Sequence, residues 1–267
     1  MNFGIDARFL NNRLGFEFDW YNKNTRDWLV TAPVLSSFGA NAVSVNGGNV
    51  KNTGIEVGLH WNDNIGKDFQ YGANLTLAHN KNEVTKIANK DGIIHGSGSV
   101  LWEGAEECFR AEVGKPIGYF YGYKVEGVYQ TQEEIEHSPK NTLATVTPGD
   151  LKFRDVNGDG EITTADRTMI GNPTPDVTYG FTLGLGYKNW ELAVDMMGQG
   201  GNQIYRTWDN YNWSQFNFME QRMDRWHGEG TSNTQPLLNT KHTINNLNSE
   251  YYLSLIHISE PTRPISI

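Results

Sequence analysis

Between Val177 and Met196 the chain changes face at every residue. Val177, Tyr179, Phe181, Leu183, Leu185 and Tyr187 alternate with Thr178, Gly180, Thr182, Gly184, Gly186 and Lys188. After a turn at Lys188-Asn189, Trp190, Leu192, Val194 and Met196 run back against Glu191 and Asp195. Successive side chains of an extended strand point to opposite sides, so the pattern specifies paired strands with one apolar and one polar face. The N-terminal part repeats it. Phe3, Ile5, Ala7 and Phe9 share a parity, and beyond Asn11-Asn12-Arg13 so do Leu14, Phe16, Phe18 and Trp20. Thr53, Ile55, Val57, Leu59 and Trp61 follow, then a short turn over 64–67, and then Phe69, Tyr71, Ala73, Leu75 and Leu77. Regularity stops there until Asp176.

Short turns alternate with long polar connections over 25–52, 79–175 and 198–249. That rhythm predicts an all-β fold, an antiparallel transmembrane β-barrel with short turns on the periplasmic side and long extracellular loops. Trp20, Trp61, Phe69, Tyr71, Tyr179, Tyr187 and Trp190 sit near strand ends, where aromatic girdles belong. A soluble sandwich shows the same alternation. It accounts less well for strands of about ten residues, for glycine and charge sharing the second face, and for the strict alternation of loop lengths.

A chain of 267 residues with a net charge of −9 offers no basic patch to neutralise phosphates, which argues against a nucleic-acid partner. The single cysteine, Cys108, cannot form an internal disulfide and has no catalytic constellation around it. No apolar run approaches the about 20 residues a membrane helix needs, and no signal peptide follows Met1. Glu106-Glu107 and Glu133-Glu134 read as solvated loop charges rather than a hydrolytic pair, so no enzyme is expected.

The segment GDLKFRDVNGDGEITTAD at 149–166 carries the clearest local chemistry. Asp155, Asn157, Asp159, Glu161, Thr163 and Asp166 fall on the first, third, fifth, seventh, ninth and twelfth places of a calcium loop, with Gly160 at the turn. A hard cation needs several oxygens converging on one point, so Ca2+ with a structural role is the expected cofactor. Asp166 is one methylene shorter than the usual closing Glu. The competing reading is an Asx-rich turn whose carboxylates cap its own backbone. Tyr119 and Tyr121, with Phe120, Tyr123 and Tyr129, and then Trp208, Tyr211 and Trp213 among amides and arginines, are candidates to stack on substrate or a partner. Simple packing is the other reading of both sets.

The words around the loop carry a resemblance. GDLKFRDVNGDGEITTADRTMIGNPTPDVTYGFTLGLGYKNWELAVDMMGQGGNQIY, together with VNGGNVKNTGIEVGLHW at 45–61 and VGKPIGYFYGYKVEGVYQTQEEI at 113–135, resembles the C-terminal barrel region of the SusC/RagA family of TonB-dependent outer-membrane transporters. The resemblance covers 1–252. It implies part of a barrel of about 22 strands filled by a plug, located in the bacterial outer membrane. Such proteins import oligosaccharides, and sometimes peptides, with energy from TonB and a SusD-like lipoprotein over the barrel. The signal peptide, plug and TonB-contacting segment would lie outside this stretch. Residues 79–175 would form an extracellular insertion carrying the 155–166 loop. Asp6, Arg8, Glu17, Asp19, Glu56, His60 and Asn74 would line the lumen, while Phe16, Phe18, Leu183 and Leu185 would face lipid. Residues 253–267, with Pro261 and Pro264, look like the translation of a sequencing adapter and are expected to be non-native. The alternative function is a secreted calcium-binding β module for adhesion or glycan binding.

Overall fold

The computed structural model describes residues 1–32, 43–89, 91–96, 106–206, 220–239 and 243–255. The alternating segments form one antiparallel sheet of six strands: β1 (Asn2–Phe9), β2 (Leu14–Ala32), β3 (Val43–Ile65), β4 (Phe69–Ile87) and, numbered along the whole chain, β13 (Val177–Tyr187) and β14 (Trp190–Gly200). They lie in the order β1-β2-β3-β4-β13-β14, and the described residues form an open sheet rather than a closed barrel.

Register turns the alternation into two continuous surfaces. Ala7, Phe16, Leu59, Leu75, Phe181 and Met196 lie side by side across all six strands, and Ile5, Phe18, Val57, Leu77 and Tyr179 form the next row. The opposite face carries Arg8, Gly15, His60, Asn74, Thr182 and Asp195 in one row. The large apolar side chains are exposed, Ile5 at 45%, Leu75 at 41% and Leu192 at 55%. None of the three belongs to a buried cluster. A broad apolar sheet face of this size is what lipid covers in a membrane barrel.

The strands outrun the sequence expectation. Much of the 25–52 connection is strand, because β2 and β3 continue as a ladder past a bulge between Thr25 and Trp28. Likewise β4 does not stop at Leu77 but runs to Ile87 against β3. Backbone pairing sustains these upper ends after the apolar alternation has stopped, so the side-chain pattern carries no sign of them.

Between β4 and β13 the chain builds an extension. A four-stranded sheet of β5 (Ile93–His95), β6 (Phe109–Glu112), β7 (Tyr119–Gly122) and β12 (Thr168–Gly171) runs in the order β12-β7-β6-β5. β8 (Val125–Val128) pairs with β10 (Leu151–Phe153), while β9 (Lys140–Asn141) and β11 (Glu161–Ile162) pair in parallel, a local departure from the antiparallel rule. One short helix, α1 (Gln132–Glu136), starts with Thr131 accepting from the Glu134 N–H.

The extension is sewn to β4 above the point where β13 stops. The Val84 N–H donates to the Lys115 carbonyl at 2.9 Å, Gly114 N–H to the Val84 carbonyl at 2.8 Å, and Ile117 N–H to Asn82 Oδ1 at 2.9 Å. Val50, Val84, Ile87 and Ala111 are buried together, with Trp28 and Ile94 against them. Val50 and Val84 share the parity of the polar face, so the extension leans over the inner side of the sheet.

A second core joins distant segments. Leu151, Phe153 and Ile162 pack with Tyr123, Tyr205, Ile244 and Tyr252. Tyr123 stacks on Phe153 at 4.8 Å between ring centres and bridges in parallel to Ser249. The Leu151 N–H donates to Asn245 Oδ1 at 2.8 Å, and Asn245 Nδ2 donates to Asp150 at 2.9 Å. β15 (Gln203–Tyr205) pairs with β16 (Leu253–Leu255), which takes in the first three residues of the segment expected to be non-native. The rest of that segment, 256–267, lies outside the described residues.

Candidate functional site

The 155–166 loop is held by its own amides. Asp155 accepts from the Gly158 N–H at 2.6 Å and the Gly160 N–H at 2.8 Å. Asn157 Oδ1 takes the Asp159 N–H and Asp159 Oδ1 takes the Glu161 N–H, each at 2.9 Å. Gly158 and Gly160 have φ of 75° and 85°, values that need glycine. Asp166 is fully buried, accepting from Val156 N–H at 2.9 Å and Thr163 N–H at 2.8 Å, and it closes a capping box with Thr163. Burial alone would raise its pKa, but the N–H donors of Thr163, Val156 and Asn157 outweigh that and hold the carboxyl below the usual range. The donor set is all oxygen, which suits a hard cation, and the carboxylate oxygens of Asp155 and Asp159 each accept one hydrogen bond and keep a second lone pair, whereas both oxygens of Asp166 already accept two. Among the described residues, however, no three acidic, imidazole or thiol side chains stand grouped for a metal.

The two candidate tyrosines part ways. Tyr119 is 1% exposed and its hydroxyl donates to Glu112, so it is packed away. Burial pushes its pKa above the ordinary value. Tyr121 is half-buried between two guanidiniums, with Arg110 at 3.3 Å and Arg167 at 4.9 Å from its ring centre. Arg110 in turn makes a two-point bond to Glu107, at 3.0 and 2.6 Å, and His95 Nδ1 lies 3.0 Å from the same carboxylate. Glu107 is therefore a paired, mostly buried anion, not a solvated loop charge. Glu134 is likewise paired, to Lys152 at 3.0 Å. Nothing in the local sequence announces the Arg110–Tyr121–Arg167 stack, because its members come from three strands or strand ends. Trp208, Tyr211 and Trp213 lie outside the described residues.

On the inner face of the sheet, His60 links Glu17, at 3.4 Å from Nε2, to Asn74 Oδ1, at 3.0 Å from Nδ1. Asp6 stands opposite Glu17 and Asp19 opposite Glu56. Seven candidate lumen residues thus share one surface, with Gly58 and Gly180 leaving room between them.

No family model matches the chain. TonB-dependent receptor P3 of Formosa agariphila is 33% identical over 208 residues, 76% of this chain and 20% of that protein. TonB-dependent receptor P26 of the same organism is 30% identical over 239 residues, 88% of this chain and 24% of that protein. TonB-dependent receptor SusC of Bacteroides thetaiotaomicron is 28% identical over 206 residues, 76% of this chain and 19% of that protein. The chain is SusC/RagA-like. It spans about a fifth to a quarter of the length of these curated relatives. The SusC/RagA-like fold is seen directly in the solved RagAB peptide transporter, which superposes with a TM-score of 0.71 at 23% identity over 95% of this chain and 26% of that one. The RagAB peptide importer in its closed-closed state gives 0.68 at 22% identity, over 95% of this chain and 27% of that one. These SusC/RagA-like relatives are named as receptors and transporters, none as an enzyme.

Proposed function

We propose that this SusC/RagA-like chain forms part of the wall and extracellular loops of a TonB-dependent outer-membrane transporter. The observation that carries the reading is the six-strand register, which sets an unbroken apolar surface on one side and a charged, glycine-spaced surface on the other. In this reading Phe16, Phe18, Leu183 and Leu185 face lipid, and Asp6, Arg8, Glu17, Asp19, Glu56, His60 and Asn74 face the transport path. The extension leans over that path from above, where a SusD-like lipoprotein would deliver cargo. Oligosaccharide or peptide is the proposed cargo, the second because the RagAB neighbours are named peptide transporters.

The test is uptake by cells carrying the full-length gene. Labelled oligosaccharide or peptide should enter only with TonB active and with the protein in the outer-membrane fraction. Fractionation with soluble protein would overturn the reading and favour a secreted calcium-binding β module.

The 155–166 loop remains a proposed Ca2+ site, through Asp155, Asn157, Asp159, Glu161 and Asp166. Alternating oxygen donors around left-handed glycines support it. The ion would stiffen the exposed side of the extension. Saturable heat on titrating calcium into metal-free protein would be expected, and its absence at millimolar calcium would end the proposal.

A further inference from the structure

The two faces of the sheet differ in charge balance. The inner surface is mainly acidic, with Asp6, Glu17, Asp19, Glu56 and Asp195 beside Arg8 and Lys23. On the outer surface the apolar rows end at Trp20, Ile55 and His79, and lysines begin. Lys81 shares the next row with Asn22 and Thr53, Lys51 the one after with Asn24 and Glu83, and Lys86 faces Asn49 beyond it. The outward direction of Lys86 is fixed by its neighbour Ile87, which is buried on the inner side with Val50 and Val84. Lys81 is 74% exposed and only loosely paired to Glu83, at 3.7 Å.

Two residues along a strand tilted by about 40° rise about 5 Å. Lys81 and Lys51 therefore stand about 5 and about 10 Å beyond the last apolar row, within reach of a headgroup layer about 5–8 Å deep once their flexible stems are counted. An outward face at that height meets lipid headgroups, and three lysines against one glutamate select for negative charge there.

Building on the membrane reading above, we infer that Lys51, Lys81 and Lys86 form a docking surface for the phosphate of an anionic lipid at the rim of the sheet. Asn22, Asn24 and Thr53 supply neutral donors beside them. The surface would orient the wall by holding charged lipid at this rim.

The test uses the full-length protein reconstituted in nanodiscs of phosphatidylcholine with a minority of phosphatidylglycerol, the retained lipid being counted by mass spectrometry. Wild type should retain phosphatidylglycerol preferentially. Each lysine should account for about fivefold of that preference, so that K51Q/K81Q/K86Q loses about a hundredfold while K188Q, at the opposite rim, leaves it unchanged. Unchanged enrichment in the triple variant would overturn the inference, as would removal of the lipid preference by millimolar inorganic phosphate, which would mark a free-anion site. Failure of wild type to enter any bilayer would instead overturn the membrane reading itself, and this inference with it.

Discussion

The guanidinium of Arg110 lies 3.3 Å above the centre of the Tyr121 ring, with Arg167 approaching the same ring at 4.9 Å. The aromatic face, not the hydroxyl, makes these contacts. Tyr121→Phe should therefore change stability by less than about 1 kcal/mol, whereas Tyr121→Ala should cost about 3 kcal/mol by loss of packing and of both stacks. Chemical denaturation of the two variants checks this. A Phe variant as damaged as the Ala variant would show that the hydroxyl matters.

Leu183 and Thr182 are neighbours on opposite faces of β13. Leu183→Arg should lower folding stability in bilayers by about 2–4 kcal/mol, while Thr182→Arg should leave it within about 1 kcal/mol. Urea titration in lipid vesicles separates the two. Equal tolerance at both positions would count against lipid on the outer face.

Asp166 contributes stability through a carboxylate held ionised by backbone donors. Its folded pKa is depressed, so the contribution is fully present above the unfolded value of about 3.9 and disappears as pH falls through the lower folded value. Asp166→Asn should cost about 1–3 kcal/mol at neutral pH and flatten this acid limb of the stability profile. Melting temperatures from pH 7 downwards test both parts, and an unchanged acid limb would refute the assignment.

Gly160 has φ of 85° with nothing within 4 Å of an added Cβ. Gly160→Ala should thus destabilise the loop by about 1 kcal/mol through backbone strain alone, with no clash to relieve. Hydrogen exchange at Asp159 to Glu161 would report it. Faster exchange in the Ala variant is expected, and identical rates would place the constraint elsewhere.

Asp19 pairs directly across from Glu56, and Asp6 from Glu17, on the inner face. Like charges in opposed positions repel, so Glu56→Gln should stabilise the isolated wall by about 0.2–1 kcal/mol, an effect that shrinks with added salt. Loss of stability in the Gln variant would mean that the carboxylate has a favourable partner.

The sheet was legible in the sequence wherever side chains alternate, from Phe3 to Leu77 and from Val177 to Met196, because one face must be apolar and the other cannot be. It was not legible where the ladder continues on backbone bonds alone. Trp28, inside what reads as a polar connection, is packed against the buried cluster of Val50, Val84, Ile87 and Ala111. The extension was less legible still. Its core joins Leu151 to Tyr252 and Tyr123 to Phe153, contacts that no short window contains. The 155–166 loop was readable in spacing, but its donors turn to their own amides, and only the fold decides how spacing is used. Tyr119 and Tyr121 are two residues apart and equally aromatic, yet one is buried and the other stacked between arginines, a difference set by what β6 and β12 place beside them.

Tyr123 meets Ser249, and Leu151 meets Asn245, so the connection after β4 and the connection after β14 are halves of one folded body. The two halves cannot drift apart in sequence without opening their shared core. A graft that exchanges either connection between relatives would therefore have to carry both as a single cassette. Transplanting either alone would leave half a core without its partner.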